Sequence, residues 1–277
     1  MTTPEPGPGP AASQARRARR EPTPFRPATV LRAGRLGPRM IRLTLGGEQL
    51  RGLAVADPAA SIRLLLPPPG TGEPVIPAWT GNEFLLPDGA RPAIRTLTPR
   101  RTDPEAGEVD VDVVVHGGGL ASRWAERAVP GDAVALSGPG RGYAVEASAD
   151  GFLLAGDETA IPAIGQLLEA IPADRTVRVL IEVAAPEARL PLPAHPGASV
   201  EWLEAAPGSA PGDALVTAVA GADVGADTGV WVAGEAAAVQ RIRRHLFEER
   251  SLSRAQATVR GYWKHGRTAG TEDDTGG

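Results

Sequence analysis

Two stretches of this sequence combine residue types and spacing that can do chemistry. One is Arg95-Thr96-Leu97-Thr98; the other, about twenty residues on, is His116-Gly117-Gly118-Gly119-Leu120-Ala121-Ser122-Arg123-Trp124. An arginine supplies a fixed cation for a phosphate, and a glycine-rich turn opening a helix supplies backbone N–H groups for the same purpose. Together they suit the grip on a phosphate-bearing cofactor. Between them, Glu108 to Val115 alternates acidic and β-branched residues. That alternation predicts a half-buried strand with Val109, Val111, Val113 and Val115 facing a core, delivering the glycine turn at its end. A short helix is predicted from about Ala121 to Ala128.

The elements around these stretches change rhythm along the chain. From about Phe25 to Ser148, short strand-like segments are separated by Pro and Gly: Ala28–Arg32, Met40–Leu45, Ser61–Leu66 and Asp132–Leu136. This pattern favours a small antiparallel barrel or sandwich. From Phe152 onward, strands alternate with helices. Strands are predicted at Phe152–Ala155, Thr176–Val183, Val200–Leu203, Gly229–Gly234 and Thr258–Trp263. Helices are predicted from the Gly156-Asp157-Glu158-Thr159 turn to about Glu169, with Pro162 in the first turn, and from Glu235 to Arg250. Such alternation implies βαβ units and a parallel sheet whose ligands lie beyond the carboxyl ends of the strands. The expected organisation is β plus α/β: a β-barrel domain over 23–148, an α/β domain over 149–266, and disordered tails at 1–22 and 267–277. The G-x-G-x-x-G dinucleotide fingerprint is absent after the first α/β strand.

Composition narrows the function. Cysteine is absent, so disulfides, thiolate metal sites, iron–sulfur clusters and cysteine nucleophiles are excluded, and redox chemistry needs a bound cofactor. The net charge of −4 argues against a nucleic-acid partner. No apolar run is long enough to span a membrane, and the Pro/Gly-rich N-terminus with its Arg16–Arg20 cluster lacks the apolar core of a secretory signal. A cytoplasmic location, no stable membrane insertion and a monomer are the expectations.

The motifs resemble those of the siderophore-interacting proteins, a branch of the ferredoxin-NADP reductase superfamily, over roughly Phe25 to Gly266. The marks are Arg95–Thr98, the valine strand ending at His116-Gly117, Ala121–Ala125, Pro130-Gly131-Asp132, Gly138-Pro139, Leu154–Ala160, Trp231–Glu235 and Gly261–Lys264. The resemblance implies a small antiparallel FAD-binding β-barrel followed by a parallel-sheet NAD(P)H-binding α/β domain. It implies electron transfer from NADPH or NADH through FAD to a ferric siderophore, releasing iron(II), with no side chain as strong acid or base and no protein-bound metal.

By the same resemblance, Arg95 lies near the FAD pyrophosphate and Thr98 near the flavin ring, with Thr96, Leu97 and Val114 beside them. Leu97 stands where the family has tyrosine, so ring stacking and a hydroxyl are lost there. His116, Gly119, Ala121 and Ser122 serve the phosphates or ribose. Asp157, Glu158 and Thr159 lie near flavin and nicotinamide and Gly234 and Glu235 form a nucleotide-contacting turn, although Thr159 can equally cap a helix and Glu235 favour a helix start. Tyr262 and Trp263 shape the outer wall of the flavin pocket, or belong to a domain-interface core. Lys264 and Arg260 would attract an anionic ferric siderophore. Two rivals remain: a non-catalytic module binding ferric siderophore or flavin, and a flavin reductase serving a protein electron acceptor.

Overall fold

The computed structural model describes residues 22–266 apart from Pro69 and Gly117. The Arg16–Arg20 cluster, the tail at 267–277, and the 1–22 tail apart from Pro22 lie outside the described residues.

The first half is one seven-stranded sheet in the order β6-β3-β9-β1-β2-β8-β7. Its strands are β1 (Arg26–Gly37), β2 (Met40–Gly46), β3 (Ile62–Leu65), β6 (Ile94–Leu97), β7 (Pro99–Asp103), β8 (Glu108–Val114) and β9 (Ala133–Ser137). A separate hairpin, β4 (Ala78–Trp79) with β5 (Phe84–Leu85), sits between β3 and β6 in the chain. All pairings in the large sheet are antiparallel. The valine alternation sets the register of β8: Val109, Val111 and Val113 lie opposite Leu45, Leu43 and Ile41, and all six are buried. Val115 is also buried, as the pattern required. The sheet curls into a half-barrel. Its two edges, β6 and β7, are consecutive in the chain and separated by Thr98 alone. The residue that joins the edges is thus the last of the Arg95–Thr98 motif.

The second half is a five-stranded parallel sheet in the order β12-β11-β10-β13-β14. The strands are β10 (Gly151–Asp157), β11 (Thr176–Val183), β12 (Ala198–Glu204), β13 (Thr228–Glu235) and β14 (Ala257–Trp263). Every residue of β10 is buried, as expected of a central parallel strand covered on both faces. The helix α2 (Ile161–Ala170) packs into one core cluster, and α3 (Asp213–Ala220) with α4 (Ala236–Arg244) into another. Four elements differ from expectation. The helix α1 spans Leu120–Ala125 and ends three residues before the predicted Ala128. The helix predicted to Arg250 is α-helical only to Arg244, then continues as a π turn over His245–Glu249. Neither α3 nor the β4–β5 hairpin follows from the sequence pattern.

Side chains from α2 join the halves. Arg100, on β7, is 8% exposed and places two N–H groups on Glu169 at 2.7 and 3.0 Å. Its guanidinium lies across Gly165, where a Cβ would stand 3.1 Å from Nε. Gln166 donates to the Pro99 carbonyl at 2.6 Å and accepts from the Ala59 N–H at 2.9 Å. From the β1–β2 turn, Arg39 reaches Glu158 with contacts of 2.8 and 3.0 Å. Because Glu169 is 45% exposed at its side chain, solvent softens the loss of its partner. Glu169→Ala is therefore expected to cost about 1–2 kcal/mol, a drop in melting temperature of about 2–6 °C. Thermal unfolding by circular dichroism measures it.

Candidate cofactor-binding site

One part of the site forms at the end of the curled sheet. Arg95 on β6 is half-buried, and its guanidinium donates to the neighbouring Ile94 carbonyl. Among the described residues no carboxylate pairs with it, and burial pushes the guanidinium below its usual pKa. A partly desolvated cation without an anion is costly unless something else supplies the charge. In the same half, Leu97, Leu120, Ala121 and Trp124 are half-buried against one core cluster and form an apolar rim to it. Thr96 is exposed.

The turn after β8 is shaped by its glycines. Gly119 has φ of 78°, and a Cβ there would stand 3.2 Å from the His116 ring, so glycine is needed on both counts. His116 is exposed, and its backbone N–H donates to Ser122 Oγ at 3.3 Å. Ser122 is 2% exposed, so this hydroxyl first of all holds the turn closed, with its own hydrogen still to donate. The N–H groups of Ala121 and Ser122 lie in the first turn of α1, where no intrahelical acceptor exists.

The other part forms where the two sheets meet. Tyr262 on β14 lies beside Thr98, the residue joining the sheet edges, and its ring meets Trp231 edge-on at 6.3 Å between centroids. Burial pushes the Tyr262 hydroxyl above its usual pKa. Val114 and Tyr262 are both half-buried against one core cluster. Behind them, Asp157 is buried at the end of β10 and accepts from Thr159 N (2.9 Å), Thr159 Oγ1, Glu235 N (2.9 Å) and Trp263 Nε1 (2.7 Å). Burial raises its pKa and these hydrogen bonds oppose the rise. Glu235, 4% exposed, caps α4 through the N–H groups of Ala237 and Ala238 and also accepts from His265 N at 3.0 Å. A Cβ at Gly234 would stand 2.7 Å from Asp157 Oδ2.

The two cations expected to meet substrate are placed differently. Arg260 donates to the carbonyls of Ala59, Arg141 and Gly142, which ties β14 to the first half. Lys264 is exposed and has no carboxylate partner among the described residues. It is also the sole lysine of the whole sequence. Among the described residues there is no cluster of three or more His, Asp or Glu side chains placed for a metal, and no helix long and apolar enough to cross a membrane. Arg39 and Arg100 shape the joint without any local sequence signal, whereas Glu158 and Trp231 lie in stretches that carry the family resemblance.

A curled antiparallel sheet joined to a parallel α/β sheet, carrying an arginine that no carboxylate pairs among the described residues, has the fold of flavin-binding oxidoreductases. Residues 29–143 match the model of the siderophore-interacting FAD-binding domain and residues 149–266 that of the siderophore-interacting protein, so the chain belongs to the siderophore-interacting protein family. It is similar to a siderophore utilization protein from T. fusca of known structure, with 36% identity, a TM-score of 0.79, and coverage of 91% of this chain and 97% of that one. The siderophore-interacting protein SipS from Aeromonas hydrophila matches at 30% identity and a TM-score of 0.74, covering 88% and 93% of the two chains. The ferric vibriobactin reductase ViuB of Vibrio cholerae is 31% identical over 232 residues, 82% of this chain and 85% of that protein.

The residues present fit FAD, because the unpaired Arg95 charge suits its phosphates and the half-buried rim suits a flat apolar ring. Arg95→Met should then separate stability from binding. Without ligand the melting temperature is expected to hold or rise by about 2–4 °C, the equivalent of about 1 kcal/mol for a chain of this size. FAD affinity should fall at least tenfold, about the value of one charged hydrogen bond. Thermal melts with and without FAD check both.

Proposed function

We propose that this protein is an NAD(P)H-dependent, FAD-containing ferric-siderophore reductase that releases iron as iron(II). The observation that carries the proposal is the half-buried Arg95, without an anionic partner among the described residues, in a chain of this family. Bound FAD supplies the redox chemistry, accepting a hydride from NADH or NADPH and passing electrons singly to iron(III).

The side chains have binding and orienting roles. Arg95 neutralises phosphate charge, and the turn at His116, Gly119, Ala121 and Ser122 directs N–H and hydroxyl groups to the same phosphates. Leu97, Val114, Thr98 and Tyr262 exclude water from one side of the ring system, and Trp263 closes another. The region around Asp157, Thr159, Gly234 and Glu235 receives the nicotinamide. Lys264, exposed and unpaired, attracts a ferric complex carrying negative charge, since ferric tris-catecholates are trianions. Arg260 serves this arrangement by holding β14 against the first half. No strong acid or base is required among these residues.

The direct test is anaerobic. The purified protein with FAD is mixed with NADPH or NADH, then with a ferric catecholate and an iron(II) trap. Bleaching of the flavin followed by return of its colour as iron(II) appears is the expected course; a protein that takes up no FAD would end the proposal. Lys264→Ala should raise KM for an anionic ferric complex several-fold at low salt and much less at high salt, because exposed charges are screened. An unchanged KM at low salt would remove the electrostatic role. Leu97→Tyr should tighten FAD binding about two- to tenfold by restoring ring stacking. Quenching of flavin fluorescence during titration reports this change.

A further inference from the structure

Lys264 follows Trp263 and precedes His265, and both neighbours are tied to buried carboxylates. The Trp263 indole N–H donates to Asp157 Oδ2 at 2.7 Å, and the His265 backbone N–H donates to Glu235 Oε1 at 3.0 Å. Asp157 sits at the end of the central strand β10 and Glu235 at the end of β13, so the end of β14 is fastened to both. Two further features exist only if this fastening is built in. The β13–β14 ladder pairs Gly234 with Gly261 and then Glu235 with Trp263, skipping Tyr262. Such a bulge re-aims side chains: Tyr262 meets Thr98 and Trp231, while Trp263 meets Asp157. The second feature is Gly234, whose missing Cβ leaves the space that Asp157 Oδ2 fills.

We propose that Asp157 and Glu235 are positioning residues forming a two-point latch that holds Lys264, the chain's single lysine, in place to receive an anionic ferric complex. The function of the latch rests on the reductase reading above. The latch itself is geometric. Trp263 remains 36% exposed, so its ring is not fixed by burial alone, and the hydrogen bond to Asp157 decides its orientation. An ammonium on a long flexible stem loses affinity for a target if its backbone wanders, and anchoring both neighbours removes that freedom. Glu235 spends its other oxygen on the start of α4, which ties the latch to a helix.

The test has two readouts, the first independent of flavin. In the ¹H–¹⁵N spectrum of FAD-free protein, the Trp263 indole signal is identified by its loss in Trp263→Phe. It should be shifted downfield and slow to exchange with solvent in the wild type. In Asp157→Asn it should move upfield and exchange fast. An indole signal already at the free position in the wild type overturns the latch.

The second readout is binding of gallium(III) tris-catecholate, a redox-inert trianion, to FAD-loaded protein, followed on the lysine of Lys264 after ¹³C reductive methylation. With one lysine in the chain, only the N-terminal amine gives a second signal. Asp157→Asn and Trp263→Phe should each weaken binding by about tenfold, the value of one charged hydrogen bond, and the double variant should be no worse than either single. Trp263→Phe leaves both helix caps intact, so it still tests the latch if Asp157→Asn folds poorly. Additive losses, or no loss in Trp263→Phe, overturn the positioning role. A wild type with the protected indole but no affinity for the gallium complex overturns the substrate reading instead.

Discussion

Four carboxylates are buried at the carboxyl edge of the parallel sheet: Asp157, Glu158, Glu182 and Glu235, each 9% exposed or less. A buried carboxylate must be paired or fully hydrogen-bonded, because leaving it unmatched costs several kcal/mol. Much of the structure around the site follows from that demand. Glu158 draws Arg39 across from the first half and also accepts the Ala184 N–H. Glu182 accepts the N–H groups of Gly212 and Leu215 and so starts α3. Glu235 starts α4, and Asp157 gathers donors from three strand ends. The helix starts that hold phosphates in many nucleotide-binding sheets are filled here by the protein's own acids. The missing G-x-G-x-x-G fingerprint agrees with this, since glycines serve close phosphate approach and here side chains occupy the space.

The first half shows the opposite electrostatic choice. Arg95 lacks a carboxylate partner among the described residues and loses solvation, whereas Arg100, five residues on, is similarly enclosed but chelated by Glu169. One arginine stabilises the joint, and the other is left in need of an anion. A single residue, Thr98, lies between the two strands that carry them, and it stands beside Tyr262 of β14. Docking and binding are thereby coupled through a few residues. A shift of α2 relative to β7 would move Pro99 and Arg100, and with them the end of the segment that carries Arg95.

Legibility in the sequence followed the range of the interaction. The valine strand, the parallel strand at Thr176–Val183 and the proline at the start of α2 are written in local period and turn chemistry, and the structure has them where the pattern places them. The helix α3 was not legible, because its start depends on Glu182, some thirty residues earlier in the chain. The same holds for Arg100 with Glu169, Arg39 with Glu158, and Trp263 with Asp157. Each side chain alone reads as an ordinary surface charge or aromatic. Arg260 is the sharpest instance: a basic residue near the chain end suggests a substrate contact, yet its N–H groups are spent on three carbonyls of the other half.

Composition carries one signal that motif reading passes over. Lysine and arginine together number 29, and only Lys264 is lysine. In a chain that meets every other cationic need with arginine, the one ammonium follows the aromatic pair of β14 directly. The two cations differ in kind: guanidinium is a planar fork that pairs bidentately with a flat anion, and ammonium is a compact charge without a preferred plane. The fork is what the geometry uses at Arg42 on Asp112, across β2 and β8, and at Arg100 on Glu169, at the joint between the halves. A bulky anion with oxygens facing several directions offers no single carboxylate plane to match. For such a ligand a point charge on an anchored backbone suits better than a fork, and Lys264 is the residue of this chain that provides one.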